Sequence, residues 1–134
     1  MLNLEIITPE RTLVKEEVDM IEATGAYGEF GILPGHTQFL TTIAIGEIRY
    51  MKGGVTQHLA ASGGYAEVVD DKVTMLLDTA ELAAEINIER AKKAQERAEA
   101  VLKTLAFDQA EYLIHEMALF RAISRISVAS KKIG

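Results

Sequence analysis

Apolar residues in the first part of the chain recur at every second position or in short bursts. Leu2, Leu4 and Ile6 alternate with polar residues, and turn-forming residues such as Lys52–Gly54 separate the successive runs. A period of two is that of a β-strand with one buried face. The runs follow one another at a spacing of about 8–12 residues without an intervening helical period, which predicts an antiparallel sandwich or barrel of about eight to ten strands.

From Ile86 onward the apolar positions step by three and four. Ala91, Ala94 and Ala98 belong to one stripe of this kind, which predicts an α-helix with a small, alanine-rich core face. Asn87 stands where an N-cap accepts from the first-turn amides, and Ile86 stands where a hydrophobic staple would pack.

A second helix is predicted over residues 108–128. Asp108 has the spacing of an N-cap with Glu111 as its capping-box partner, and Phe107 can pack as a staple on Tyr112. This helix is more apolar than a two-helix hairpin requires. It must therefore pack on the β-domain as well or leave apolar area for another chain.

Glycine and alanine divide the chain into two parts. Nine of the ten glycines precede residue 65, whereas alanine occurs 6 times in residues 1–79 and 12 times in residues 80–134. Glycine interrupts regular elements and alanine favours helix. We therefore predict a β-sandwich domain over residues 1–84 and a two-helix antiparallel hairpin over residues 85–134, a fold of the β-sandwich plus α class.

Charge follows the same division and excludes one class of partner. The net charge is −6, made up of −8 in residues 1–84 and +2 in residues 85–134. An acidic body argues against nucleic acid, because binding to phosphates depends on clustered Lys and Arg. No basic leader and no window of about 20 apolar residues is present, so we expect neither a classical export signal nor a membrane span.

Residues that could perform chemistry are few. There is no cysteine, and the three histidines are too scattered for a metal site, so no metal is predicted. Neither a G-x-x-x-x-G-K nor a G-x-G-x-x-G phosphate loop occurs. One enzymatic alternative remains, a small sandwich enzyme that uses His36 and Ser62, and it requires these side chains within hydrogen-bond reach.

The segment Gly28–His36 contains three glycines and a proline in nine residues, which predicts a surface loop of defined shape. Together with Ile7–Glu10, Ser62–Gly64 and Asp78–Glu81, it resembles the epsilon subunit of the F-type ATP synthase of bacteria and plastids. The resemblance extends over the whole chain in order.

The resemblance implies a ten-stranded antiparallel β-sandwich followed by a helical hairpin. It further implies a non-catalytic subunit of the central stalk, not an enzyme, which couples rotor to catalytic core and restrains ATP hydrolysis through its C-terminal helices. The implied partners are the gamma subunit, the c-ring and the alpha and beta catalytic subunits. The implied location is the cytoplasmic face of the bacterial inner membrane, as a peripheral protein attached through the complex only.

The resemblance also suggests two sets of site residues. Glu29, Phe30 and His36 are expected to face the rotor ring or gamma. No cofactor is required, but some bacterial members carry a regulatory ATP site with an I/L-D-x-x-R-A motif.

That motif stands here as Ile86-Asn87-Ile88-Glu89-Arg90-Ala91, in which Asn87 replaces the acidic residue. The candidate ATP-binding residues are Ile86, Asn87, Arg90, Ala91, Arg121 and Arg125. Arg121 and Arg125 lie four apart on one helix face, a spacing suited to a triphosphate. The alternatives are that Asn87 acts only as a cap and that the arginines meet an acidic neighbour, or that the chain is a free-standing nucleotide-sensing module.

Overall fold

The computed structural model describes residues 1–131. Eight strands come first: β1 (Leu2–Ile7), β2 (Thr12–Val18), β3 (Met20–Gly25), β4 (Gly28–Ile32), β5 (Phe39–Lys52), β6 (Val55–Val69), β7 (Lys72–Leu77) and β8 (Ala80–Leu82). A 3-10 turn (Ala83–Glu85) then leads to helices α1 (Ile88–Leu102) and α2 (Ala110–Ala129).

The two long strands each serve two layers. The pairing of β5 with β6 is interrupted at Ala44 and Gly63. On its other edge, β6 pairs with β8 through residues 59–61, before this interruption, and with β7 through residues 64–69, after it. Counted by halves, β5 and β6 complete one layer in the order β4-β3-β5-β6-β8 and another in the order β5-β6-β7-β1-β2. The expected ten-stranded sandwich is therefore present as eight continuous strands.

The core lies between these layers. Leu2, Leu4 and Ile6 of β1 are fully buried in one cluster with Ile21 of β3, although the two strands belong to different layers. This confirms the period-two pattern read from the sequence. The sandwich is antiparallel except at β1 and β7, which pair in parallel. Strands β2 to β6 lie between them in the chain and provide the long crossover that a parallel pair requires.

The segment Gly28–His36 is not one loop. Gly28–Ile32 forms the edge strand β4, paired with β3, and only residues 33–38 form the connection to β5. The prediction of a loop over the whole segment was wrong because Gly28 and Gly31 are compatible with an edge strand. Gly28 has a positive φ of 120° at the hairpin turn, and a Cβ on Gly31 would make only ordinary contacts.

The helical caps match the sequence in part. Asn87 is the N-cap of α1, and its Oδ1 accepts from the amide of Arg90 at 3.0 Å, as predicted. The second cap was predicted wrongly, because α2 begins at Ala110 with Gln109 as N-cap. The side chain of Gln109 accepts from Ala106 N at 2.8 Å, and this closes a turn in which Asp108 lies before the helix.

The predicted staple contact at the start of α2 is present. The rings of Phe107 and Tyr112 lie 4.9 Å apart between centroids. Because Gln109 is the N-cap, the pair stands one residue before the N′ and N4 positions of a regular staple, and Phe107 remains 86% exposed.

Helix α2 packs on the outer face of the β4-β3-β5-β6-β8 layer. Its last turn places Val128 and Ala129 in a small buried cluster with Ala60 of β6, Ala83 and Ile86. Much of the apolar surface of α2 nevertheless stays uncovered, since Leu113, Met117, Phe120 and Ile123 are all more than two-fifths exposed. Both predicted outcomes for the apolar excess thus occur on the same helix.

The glycines at the bend of β6 predict a sharp effect on stability. A Cβ on Gly64 would lie 2.0 Å from the carbonyl oxygen of Leu76, on the neighbouring strand. We expect Gly64→Ala to destabilise the protein by about 3 kcal/mol or more, because backbone must move to relieve the overlap. Gly53→Ala is the matched control, with positive φ but open space around the new Cβ, and about 1 kcal/mol is expected there. Urea unfolding measures both, and equal losses would contradict the steric explanation.

Candidate partner-binding and nucleotide-binding surfaces

One end of the sandwich gathers the β4–β5, β5–β6 and β6–β7 turns. The strand register places Ile32 beside Ile21 and Ile21 beside Tyr50, and it places Val69 beside Lys72 at the start of β7. We call this the loop end. Its largest connection is residues 33–38, which we call the end loop.

The end loop has a defined shape. The amide of His36 donates to the carbonyl of Leu33 at 3.1 Å, with Pro34 and Gly35 between them and a φ of 84° at Gly35. This is the geometry in which proline presets the first central residue and glycine supplies the positive φ of the second. Leu33 is 56% exposed, so the end loop presents an apolar side chain to its surroundings.

The three residues predicted to bind a partner do not form one surface. Phe30 points inward, where it packs against the core and meets Phe39 edge-on at 5.6 Å between ring centroids. Glu29 is exposed on β4 and accepts from Arg49 at 3.0 Å. His36 lies in the end loop, half-buried against Phe39, with its Nδ1 within 2.8 Å of Thr37 O. Phe30 therefore supports the end loop from inside, through Phe39.

A cluster of charges on β5 and β6 holds the C-terminal end of the hairpin. The side chain of Glu47 is 11% exposed and accepts from Lys131 Nζ at 2.6 Å, from Arg49 at 3.2 Å, and meets His58 Nδ1 at 2.8 Å. Burial alone would raise the pKa of the Glu47 carboxyl, but hydrogen bonds from Lys131, His58 and Arg49 outweigh it and lower the pKa. The carboxylate stays ionised at neutral pH and fastens Lys131, two residues beyond the end of α2, to the sandwich.

A second ion pair joins α2 to β8. Arg125 donates to both oxygens of Glu81, with Nε–Oε1 at 2.6 Å and Nη2–Oε2 at 3.3 Å. At the base of the hairpin, Arg11 of the β1–β2 turn donates to both oxygens of Glu85 at 2.9 and 3.0 Å, which lowers the pKa of that carboxyl. The hairpin is thus attached at its root and at the C-terminal half of α2.

Two grooves border α2 near the predicted ATP residues. The first, of about 840 Å³, lies between α2 and the sandwich, and both Arg121 and Arg125 line it. Its charges are balanced, since Glu10, Asp78 and Glu81 face the same space as the basic side chains.

The second groove, of about 620 Å³, runs between the two helices. Arg90, Lys93 and Arg97 of α1 line it together with Arg125 of α2, and Glu96 is its one acidic lining residue. It is therefore the strongly basic groove of the hairpin. The basic lining residues Lys93 and Arg97 escaped the sequence interpretation, although their spacing from Arg90 along one helix face was visible.

The predicted ATP residues are divided between these grooves. Arg125 lines both, Arg121 lines the first and Arg90 the second. Asn87 uses its Oδ1 for the cap of α1, while Ile86 and Ala91 are buried as packing residues. Arg125 must release Glu81 before it can turn fully to a ligand.

The enzymatic alternative has no support in the geometry. The Oγ of Ser62 accepts from the hydroxyl of Thr79, whereas His36 is engaged with Thr37 and Phe39. Among residues 1–131 the two side chains share no hydrogen bond. The proximity on which that alternative depends is therefore missing.

Two protein-family models match the chain, one over the sandwich and one over the helices. The family model of the ATP synthase Delta/Epsilon chain, beta-sandwich domain, matches residues 1–83. The model of the ATP synthase Delta/Epsilon chain, long alpha-helix domain, matches residues 84–130. The chain therefore belongs to the delta/epsilon chain family of the ATP synthase.

Curated relatives agree over nearly the whole length. The chain is 54% identical to the "ATP synthase epsilon chain" of Geotalea uraniireducens (strain Rf4) over 130 residues, which cover 97% of this chain and 94% of the relative. It is 53% identical to the protein of the same name from Geobacter sulfurreducens, with the same coverage. The recognised resemblance is confirmed, and this family membership makes the chain an accessory chain of the ATP synthase, not a catalytic one.

A solved structure shows the same fold. A chain in the cryo-EM structure of the Euglena gracilis mitochondrial ATP synthase (OSCP/F1/c-ring) superposes with a TM-score of 0.80 at 28% identity, covering 98% of this chain and 81% of that one. A chain of the Tetrahymena thermophila central stalk/c-ring structure shares the fold at a TM-score of 0.63 and 14% identity. Within residues 1–131, neither helix has the length and apolar character needed to cross a membrane.

The Glu47 cluster predicts a pH-dependent contribution to stability. Because the pKa of Glu47 is lowered in the folded protein, the carboxylate stabilises fully at neutral pH and loses this effect as the pH falls through the folded-state pKa. We expect Glu47→Gln to cost about 1–3 kcal/mol at pH 7, with a difference from wild type that shrinks below about pH 4. Urea titrations between pH 3 and pH 7 measure this.

The control for this prediction is Glu67→Gln, at an exposed position of β6 without an ion pair among the described residues. It should change stability by less than about 0.5 kcal/mol. A Glu47→Gln difference that stays constant down to pH 3 would contradict the assignment.

Proposed function

We propose that this chain is a non-catalytic subunit of the central stalk of a proton-translocating ATP synthase. In this proposal it couples the rotor to the catalytic core and restrains ATP hydrolysis through its C-terminal helices. The observation that carries the proposal is the match over the whole chain, sandwich and helices together, to epsilon chains and to a chain of an F1/c-ring assembly.

The proposed partners are the gamma subunit, the c-ring and the alpha and beta subunits. The chain lies at the cytoplasmic face of the bacterial inner membrane and is held there through the complex. The end loop supports contact with the rotor, because its backbone is fixed by a turn and Leu33 offers an exposed apolar side chain. Apolar side chains on a rigid surface bind a partner at a low cost in conformational entropy.

The hairpin supports the regulatory part of the proposal. The core of the sandwich contains residues of β1 to β8 and none of α1 or α2. The hairpin rests on the outer face through the small cluster of Ala60, Val128 and Ala129 and through the ion pairs of Arg125 and Lys131. An element attached by so few contacts can leave the sandwich without unfolding it.

Removal of the hairpin tests the proposal directly. We expect residues 1–84 to fold and to co-purify with gamma and the c-ring, because the sandwich core is complete without the helices. In the reassembled synthase this truncation should raise ATP hydrolysis severalfold and leave proton-coupled rotation intact. The full chain, purified in parallel, is the control.

Three results would count against the proposal in different ways. Failure of the full chain to co-purify with gamma or the c-ring would refute the stalk assignment. A truncated chain that binds but leaves hydrolysis unchanged would refute the regulatory role of the helices. An unfolded truncated chain would refute the independence of the sandwich.

We further propose that ATP binds the hairpin as a regulatory ligand. The observation that favours it is the basic groove lined by Arg90, Lys93, Arg97 and Arg125, which suits a triphosphate. A ligand that bridges α1 and α2 stabilises the arrangement in which they face each other, through its differential affinity for that arrangement.

Calorimetry with the purified full chain tests this ligand. Saturable ATP binding is expected, and Arg90→Ala or Arg125→Ala should weaken it about tenfold or more by removing a phosphate partner. Arg121→Ala is the matched control, and this variant should retain ATP binding, since Arg121 lines the other, charge-balanced groove.

Asn87→Ala should lower the stability of the protein by about 1 kcal/mol through loss of the helix cap, with or without ATP. Absence of binding heat at millimolar ATP would leave the groove without this role.

A further inference from the structure

The end loop is tied to the neighbouring β6–β7 turn by a single side chain. Oδ1 of Asp71 accepts a hydrogen bond from the amide of Gly35 at 2.7 Å, across 36 positions of sequence. Gly35 is the left-handed residue of the end-loop turn, and its amide takes no part in the hydrogen bond that closes the turn between His36 and Leu33. The carboxylate therefore holds the end loop at its apex.

Asp71 occupies a backbone position that glycine would fill more easily. The turn between β6 and β7 consists of Asp70 and Asp71, with φ of 47° and 63°, and these are the non-glycine residues with positive φ among the described part of the chain. Two consecutive positive φ values are those of a type I′ hairpin, in which glycine is favoured. Asp tolerates this region at some cost, and unlike glycine it has a side chain that accepts from the amide of Gly35.

The backbone of Asp71 is itself fixed in the sandwich. Its carbonyl accepts from the amide of Asn3 at 2.8 Å, at the point where β1 begins to pair with β7. The carboxylate that reaches Gly35 thus projects from a residue that is held by the second layer. The end loop, by contrast, continues from β4 of the first layer.

We propose that Asp71 is a positioning residue for the rotor-binding surface: by fastening Gly35 it holds the end loop, and with it Leu33, in the shape that the rotor ring binds. This inference rests on the proposed contact of the end loop with the ring. Asp71 acts through Gly35 and need not touch the partner itself. Loss of the tether leaves the end loop to be ordered at the moment of binding, which weakens affinity by the free energy of that ordering.

Three variants separate the tether from the shape of the turn. Asp71→Gly removes the acceptor and relieves the left-handed backbone. Asp70→Gly relieves the same kind of backbone in the same turn, and the side chain of Asp70 makes no hydrogen bond to the end loop. Asp71→Asn keeps an oxygen acceptor and a residue that tolerates positive φ.

The binding experiment measures the affinity of each full-length variant for a detergent-solubilised complex of gamma and the c-ring. Asp71→Gly should weaken affinity about threefold to tenfold, the range expected for one hydrogen bond. Asp70→Gly should bind as wild type does, and Asp71→Asn should recover most of the loss. Urea unfolding should show both glycine variants folded and within about 1 kcal/mol of wild type, because in Asp71→Gly relief of the left-handed backbone offsets much of the lost hydrogen bond. Weaker binding then cannot be ascribed to a damaged fold.

Hydrogen exchange gives a second measurement that does not involve the partner. The amide of Gly35 should exchange at least about threefold faster in Asp71→Gly than in Asp70→Gly, because only Asp71→Gly removes the carboxylate that accepts from this amide. Equal exchange rates in the two variants would overturn the tether.

A loop variant separates failure of this inference from failure of the proposed function. Leu33→Asp places a charge on the exposed end loop and should weaken ring binding if the loop is in the contact. If Leu33→Asp weakens binding while Asp71→Gly does not, or if both glycine variants weaken it equally, the positioning role is refuted and the contact stands. If neither Leu33→Asp nor Asp71→Gly changes affinity, the end loop does not bind the ring, and the positioning role falls with it.

Discussion

The bend in β5 and β6 is the constraint on which the rest of the structure depends. Both strands pass from one layer to the other where their pairing lapses at Ala44 and Gly63. At the next residue, Gly64, a Cβ would lie 2.0 Å from the carbonyl oxygen of Leu76, so glycine is required there. Because the two strands are shared, the layers cannot separate, and the core between them closes without help from the helices.

The same bend decides where the hairpin can lie. The first half of β6 turns Leu59 and Ala61 toward the core and Ala60 outward, so that the outer face offers a small residue against which the last turn of α2 can pack closely. Near this patch the sandwich presents the carboxylates of Glu81 and Glu47. Arg125 of α2 pairs with Glu81, and Lys131, two residues beyond α2, pairs with Glu47. The acidic sandwich and the basic hairpin therefore complement each other within one chain.

The two parts of the chain differ in the number and kind of the contacts that hold them in place. The sandwich has a continuous apolar core, whereas the hairpin is attached by one small cluster and by ion pairs that are partly open to water. Partly exposed pairs contribute little each, so these contacts add only about a few kcal/mol to the docking of the hairpin. Apolar side chains of α2 that the sandwich and α1 leave exposed, such as Phe120 and Ile123, remain available to another surface.

The sequence by itself determined the features that depend on neighbours along the chain. The period of two, the change of period at Ile86, the cap at Asn87 and the contact of Phe107 with Tyr112 each involve residues within a few positions, and the structure has all of them. The motifs also sufficed for the family. One boundary of this local kind was still predicted wrongly: the N-cap of α2 is Gln109 and not Asp108, because the side chain of Gln109 closes the preceding turn.

Only the tertiary structure decided which distant residues meet. Strand register and the docking of α2 decide these contacts. They place Phe30 against the core, pair Arg125 with Glu81, and bring Glu47 to Lys131 across 84 positions of sequence. Nothing in the local spacing of these residues reports such pairings, because a register shift of one residue would turn each strand side chain to the opposite face. The charged clusters and the tether at Asp71 belong to the fold as a whole.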